Sequence, residues 1–338
     1  MPLKQTTIRV TKEILSIDLQ DDRTALVDVY YEFTNPSSES KTILMGFEAA
    51  PPYPDAFAVS NTMAHPYIKN FKVEVNGQKI KYKNAISKTD NFNPMNVKGY
   101  SLEMGALIKD DDGQYIQDFA FVYYFDVTFK PGVNKIHHTY SYEMGGSTTY
   151  FYFLDYKLSP ATRWANHQID DFTLLINAKH TAKHFYIGVA DAQNIKPEVI
   201  SGKGKFRRSQ SETYSEKDQP WEISLRNGTI RFHINNFRPT EELWIHSGTL
   251  CGGLSATYDR SIFMGDCGWI EHTDFDLRVM RNLPYANRGH IFKDPKLKKF
   301  FESCWWYMPD PKYKDETKDF TPYDWEYINF KPSKGQAY

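Results

Sequence analysis

From residue 6 to about residue 246 the chain is written in short runs of alternating apolar and polar residues, broken by turn residues. That rhythm constrains the fold more than anything else in the sequence. Residues 25–33 (ALVDVYYEF) and 122–129 alternate over much of their length, the period of a strand with one face buried. Asn35-Pro36-Ser37-Ser38 reads as a turn, after which residues 41–47 return as a second strand. Asn76-Gly77 and Asn227-Gly228 each carry the signature of a type I′ hairpin turn, whose two central residues need positive φ. Further strands are predicted at 133–144, 149–155, 169–176 and 183–189. Residues 201–211 (SGKGKFRRSQS) are basic and glycine-bearing and read as an exposed hairpin tip or loop. Two stretches break the rhythm. Residues 51–67 are proline-rich and predict a long loop. Residues 90–113 are polar and predict an insertion with a short helix around 102–108. Strand–turn units at this spacing suggest sandwiches rather than an α/β fold.

At 338 residues the length prior is about two domains. The aromatic load, 23 Tyr, 23 Phe and 7 Trp, suits pleated surfaces, where large rings pack across strands. A net charge of -1 removes the electrostatic case for nucleic acid. No run of about 20 apolar residues is present to span a membrane. The first residues, MPLKQTTIRV, lack an apolar signal-peptide core. The protein is therefore expected either in the cytosol or as a chain that begins after a removed export signal.

Residues 277–309 read differently, as two short amphipathic helices. Asp294 stands at an N-cap position and Pro295 at the first helical position, where the missing N–H costs nothing. Leu297, Phe300, Phe301, Cys304 and Trp305 then share one face. Pro309 and Pro311 stop that helix. Before it, Asp274 is placed to cap a first helix. Pro284 predicts a kink or an end, and Gly289 a left-handed C′ residue.

Arg281-Asn282, Tyr285-Ala286, Gly289, Phe292, Asp294-Pro295, Leu297, Phe301 and Trp306-Tyr307 resemble the YARHG domain, a small bacterial domain taken to be extracellular. The spacing holds without a gap from 277 to 307. The name motif departs, standing here as Tyr285-Ala286-Asn287-Arg288-Gly289, with Pro284 before it. The resemblance implies fold and compartment, and it brings no chemistry. Residues 15–47, and 156–176 through Tyr156, Leu158, Trp164, Ile169, Phe172, Leu174 and Ile176, resemble an uncharacterised, exported, β-rich bacterial family. The segment 236–243 fits its closing strand.

Little in the sequence selects a reaction. His180 and His184 stand four apart, but Thr181 replaces the glutamate of a zinc-protease helix, and the segment reads as strand. His137-His138 lies in a strand, so at most one of the two points inward. Asp110-Asp111-Asp112-Gly113 lacks the alternating ligands of a calcium loop. There is no G-x-S-x-G elbow, and Gly202-Lys203-Gly204 does not match a phosphate loop. Cys251 and Cys267 sit beside glycines and are candidates for a disulfide or for free buried thiols; Cys304 belongs to the apolar helix face.

Together these features predict a mostly β protein. A β-sandwich-like domain over 1–130 has long loops at 51–67 and 90–113, and a second follows over 131–250. A small helical YARHG-like module with an irregular tail occupies 251–338. The function expected is that of a non-enzymatic, exported cell-envelope protein, periplasmic or extracellular, with a lipid anchor possible on its precursor. It binds a protein or glycan partner through Tyr285, Arg288, Trp306, Tyr307 and Trp325, because aromatic rings offer a rigid apolar face with a polar tip. No catalytic residue, metal or cofactor is assigned. The alternatives are a hydrolase of an envelope polymer and a purely structural accessory protein.

Overall fold

The structure is a computed structural model that describes residues 7–20, 23–50, 57–58, 62–88, 92, 94, 101–102, 108–109, 115–116, 119–145, 152–179, 183–188, 195–209, 219–247 and 273–329. With 53% of residues in strands and 16% in helices, it is mostly β, with a short helical segment at the C-terminus.

The chain opens with β1 (Arg9–Leu19), β2 (Thr24–Asn35), β3 (Lys41–Ala49), β4 (Phe57–Ala58), β5 (Ile68–Val75) and β6 (Gln78–Lys79). It continues with β7 (Lys83–Lys88), β8 (Ser101–Leu102), β9 (Ile108–Lys109), β10 (Tyr115–Ile116), β11 (Phe119–Phe129) and β12 (Gly132–Glu143). After these come β13 (Phe153–Tyr156), β14 (Ile169–Ala178), β15 (Lys183–Gly188), β16 (Glu198–Arg208), β17 (Trp221–Phe237) and β18 (Leu243–His246). The helices are α1 (Asp274–Arg288), α2 (Pro295–Ser303) and α3 (Pro322–Asn329).

One 11-stranded sheet runs in the order β13-β18-β15-β17-β14-β1-β2-β12-β5-β6, with β16 also paired to β17. Its β1–β14 pair is parallel. A second sheet, β3-β11-β7, packs on it. Rings from both sheets meet there, as Phe71 of β5 stacks 4.4 Å from Tyr123 of β11 and Phe47 of β3 lies 4.8 Å from His138 of β12. The large sheet is also rolled. Its edge strand β13 returns over the middle strands, and the Tyr156 hydroxyl lies 3.0 Å from that of Tyr31 on β2. Hydrogen bonding runs straight across the boundary expected at residue 130, since β12 pairs with β2 and β5, and β1 with β14.

Several local expectations meet tertiary context. Asn76 (φ 50°) and Gly77 (φ 80°) turn β5 into β6 as expected. Asn227-Gly228 is not a hairpin. Both flanks belong to the single 17-residue strand β17, whose partner changes there from β15 to β14. Asn227 takes φ 44° and donates its N–H to Lys179 O at 2.7 Å, so the pair works as a bend. Gly202 of β16 packs against it so closely that a Cβ would lie 1.8 Å from Asn227 O. Residues 201–208, expected as an exposed tip, are part of β16. The ends of the helix expected at 102–108 are strand residues of β8 and β9, and β8 pairs with β4, tying the two long-loop regions together. Residues 110–113, His180, Cys251 and Cys267 lie outside the described residues.

In the module, Thr273 rather than Asp274 caps α1, in a reciprocal capping box with Asp276. Pro284 does not end α1, which runs on to Arg288 and stops at Gly289 in the left-handed region (φ 94°). Asp294 caps α2 by accepting from the N–H groups of Lys296 and Leu297, with Pro295 following as expected. The tail adds α3, which carries the same T-x-x-D box: Thr321 N–H donates to Asp324 Oδ2 at 2.9 Å, and Asp324 N–H to Thr321 Oγ1 at 3.2 Å. Val279, Met280, Leu283, Phe292, Leu297, Phe301, Cys304 and Trp306 form a core of their own.

Candidate functional site

The polar group least explained by packing alone is Glu13. In β1 the inward row reads Glu13, Leu15, Ile17 and Leu19, so a carboxylate occupies a position the strand period assigns to the core. Glu13 is 3% exposed. The Tyr156 hydroxyl donates to its Oε1 at 3.3 Å, and the Tyr31 hydroxyl stands 3.0 Å behind that of Tyr156. A relay of two phenols thus ends on the carboxylate. Among the described residues no Lys, Arg or His side chain pairs with it. Burial pushes the Glu13 pKa up to about 7, against the lowering effect of the tyrosine hydrogen bonds.

Glu13, Tyr31 and Tyr156 line a cavity of about 40 Å³ between the two sheets. Phe33, Phe47, Phe125 and Trp164 supply its rings, and His138 lines it as well. His138 is 4% exposed, and burial drives its pKa down to about 3. Among the described residues its Nε2 has no hydrogen-bond partner. His137, its neighbour, points outward and meets Asp28 at 3.0 Å, so the pair divides between faces as strand geometry requires. At the margin of the cavity Glu48 is held by Arg163 at 2.8 Å, and Lys157 by Glu242 at 3.5 Å. Among the described residues no three His, Cys, Asp or Glu side chains converge as a metal site.

The residues assigned to binding from the sequence all lie in the helical module, and burial removes three of them from a ligand face. Trp306 is 2% exposed and Tyr307 5%, both in the module core, with the Tyr307 hydroxyl donating to His290 O. Arg288 is held in a buried ion pair with Asp324 at 2.8 Å and also donates to Pro284 O at 2.9 Å and Asp319 O at 2.8 Å. These three hold the module together: the Trp306 and Tyr307 rings pack in its core, and the Arg288 guanidinium ties α1 to Asp319 and Asp324. Phe320 gathers the other two with Arg288: Tyr285 lies 5.1 Å away, the Arg288 guanidinium 4.2 Å over its ring, and Trp325 5.6 Å away. Only Trp325 of the five, 41% exposed, presents a large apolar surface outward.

The module is seated on a polar face of the large sheet. Tyr186 and His184 of β15 stand opposite Glu222 and Ser224 of β17. On the other side, Lys203, Lys205 and Arg207 of β16 stand opposite Arg226, Ser224 and Glu222. Residues 305–310 cover these rows. Trp305 Nε1–H donates to Glu222 Oε1 at 3.1 Å, and Arg207 stacks 4.4 Å over the Trp305 ring. Lys205 Nζ donates to Trp305 O at 3.0 Å and Tyr307 O at 2.8 Å, and Ser224 Oγ to Trp306 O at 3.3 Å. Asp310 meets Lys203 at 3.2 Å and Arg226 at 3.5 Å. Burial alone would raise the pKa of Glu222, but the His184 ring nitrogen 3.3 Å away and the hydrogen-bonded Arg207 guanidinium outweigh it and hold the carboxyl below its ordinary value.

Sequence reasoning missed Glu13, Tyr31, Tyr156 and His138 as a group. A signal for the first was present, since Glu13 interrupts an apolar row at period two. Nothing local says that β13 returns over β1.

Over nearly its full length the fold is similar to that of a candidate nutrient binding protein from Legionella pneumophila (TM-score 0.52, 19% identity, covering 97% of this chain and 95% of that one). That likeness is one of fold. An M1 zinc metallopeptidase from Deinococcus radiodurans aligns at a TM-score of 0.28 and 12% identity, over 72% of this chain and 43% of that one, and carries no argument. No curated protein matches the sequence significantly. Residues 2–90 match a domain of unknown function, DUF4424. Residues 270–330 match the YARHG domain, and they contain α1, α2, α3 and the segment that seats them on the sheet. The chain therefore carries a C-terminal YARHG domain behind an N-terminal region of the DUF4424 kind.

Proposed function

We propose that this is an exported bacterial envelope protein that binds a small ligand without transforming it, at the cavity around Glu13. The observation that carries this reading is a buried carboxylate that lacks a cationic partner among the described residues and lines an aromatic cavity. A fold gains nothing from burying such a group unless something compensates it. The compartment rests on the YARHG domain, which occurs in exported proteins. Among the described residues no helix is long and apolar enough to cross a membrane. The description of the Legionella neighbour as a candidate nutrient binding protein points the same way. On this reading the YARHG module is a docked accessory, and a protein or glycan partner would meet it at Trp325.

The test is a thermal-unfolding screen of the full chain against small cationic, neutral and anionic metabolites, followed by calorimetric titration of any hit. At least one class is expected to raise the unfolding midpoint in a saturable way, with the rise diminished in Tyr156→Phe. A flat response to every class would sink the reading.

A further inference from the structure

The cavity is specific about what it could hold, and size decides first. A water-sized group needs about 10–15 Å³ of such space, so about 40 Å³ takes roughly three such groups. A sugar ring or a whole amino acid does not fit. Charge decides next. An anion would face Glu13, and the cation on the lining, Lys157, is already taken up by Glu242 at 3.5 Å. Calcium or magnesium wants six or more oxygen ligands, whereas the cavity offers Glu13 and two phenolic hydroxyls, its second carboxylate, Glu48, being held by Arg163 at 2.8 Å. Among the described residues no three His, Cys, Asp or Glu side chains converge for a metal of lower coordination. What remains is a small monocation. The walls then favour an organic ammonium over a bare alkali ion, because aromatic rings attract ammonium groups and tolerate methyl groups beside them. His138 also lines the cavity, and its Nε2, without a hydrogen-bond partner among the described residues, can accept an N–H in the tautomer that leaves it bare.

We infer that the site formed by Glu13, Tyr31, Tyr156 and His138 binds a small ammonium cation, ammonium or a short primary amine, with Glu13 as counter-ion. The inference rests on the reading of this cavity as the ligand site and narrows it to one chemical class. The Tyr156 hydroxyl orients the carboxylate by donating to Oε1, and the rings of Phe33, Phe47, Phe125 and Trp164 exclude bulk water from the pair.

The experiment titrates the full chain with methylammonium chloride at constant ionic strength, balanced with sodium chloride, and follows the unfolding midpoint and the intrinsic fluorescence. Potassium chloride, methanol and sodium acetate serve as the alkali, neutral and anionic comparisons. Methylammonium is expected to give a saturable rise, with the other three silent. Glu13→Gln should weaken the apparent affinity at least tenfold, whereas Glu39→Gln, in the exposed turn after β2, should leave it unchanged. Should Glu13→Gln not fold, Tyr156→Phe keeps the carboxylate, removes its donor, and should weaken binding several-fold. An equal response to potassium would overturn the organic class. A methanol or acetate response lost in Glu13→Gln would overturn the cation and leave the cavity as the ligand site. A methylammonium response that persists in Glu13→Gln overturns the inference, and silence from all four probes overturns it together with the reading beneath it.

Discussion

At the scale of single residues, the interior of the β body is set by groups that burial keeps neutral. Glu13 in the folded chain titrates near 7, against 4.5 for an ordinary glutamate. A raised carboxyl pKa means the folded state holds the proton more tightly. Its contribution is therefore complete below pH 4.5 and is lost as pH rises through about 7, by up to about 3 kcal/mol. His138 has the opposite sign. Its pKa falls from 6.5 to about 3, so its contribution is present above 6.5 and is lost as pH falls toward 3. Glu13→Gln abolishes only the first effect. Urea unfolding at pH 5 and pH 8.5 should find the variant close to the parent at the lower pH and more stable at the higher by up to about 3 kcal/mol. Parallel curves at both pH values would show that Glu13 does not carry the buried proton.

At the scale of elements, the helical module depends on one ion pair more than on any helix propensity. Asp324 is fully buried, accepts from the Thr321 N–H with its carboxylate at the start of α3, and meets Arg288 at the end of α1. Short helices of this length do not persist alone in water. Arg288→Ala strands the carboxylate in the module core and is expected to cost about 3–5 kcal/mol. Amide exchange should then accelerate in α1 and α3 while the protected strands β1, β2 and β14 stay unchanged. Adding Asp324→Asn to the variant should restore part of the loss. Fast exchange spreading equally into the sheet would contradict the separation of the two cores. Much of this scale was legible beforehand. Asp294-Pro295, Gly289 and the Asn76-Gly77 turn act through backbone geometry within a few residues, and they do in the fold what they promise in the sequence. The T-x-x-D boxes at Thr273 and Thr321 were equally local and went unread. Pro284 does not end α1, because the flanking turns and the core contacts of Leu283 and Ala286 carry the helix past one lost hydrogen bond.

At the scale of the whole molecule, the module and the sheet are joined by polar contacts rather than an apolar seam. Trp305 is the piece that touches most partners, through Glu222, Arg207 and the His184 ring at 5.3 Å. Trp305→Ala is expected to weaken docking by about 2–4 kcal/mol, as truncation of a central aromatic does at interfaces. Amide exchange should then rise along β16 and α2. Unchanged exchange in both would mean that the Lys205 and Asp310 contacts suffice.

By itself the sequence determined that most of this chain is strand, where α2 starts and where α1 stops, because period, caps and turn residues act over a few neighbours. Tertiary structure decided which rows those strands bury. The row Glu222, Ser224, Arg226 has the look of a solvated face and is covered by residues 305–310. The Asn227-Gly228 bend lets one strand serve two partners instead of closing a hairpin. The cavity at Glu13 exists because β13 folds back over β1 and β2. The contacts at that cavity join residues 125 and 143 positions apart, and no local pattern records which distant strand will lie opposite a given side chain.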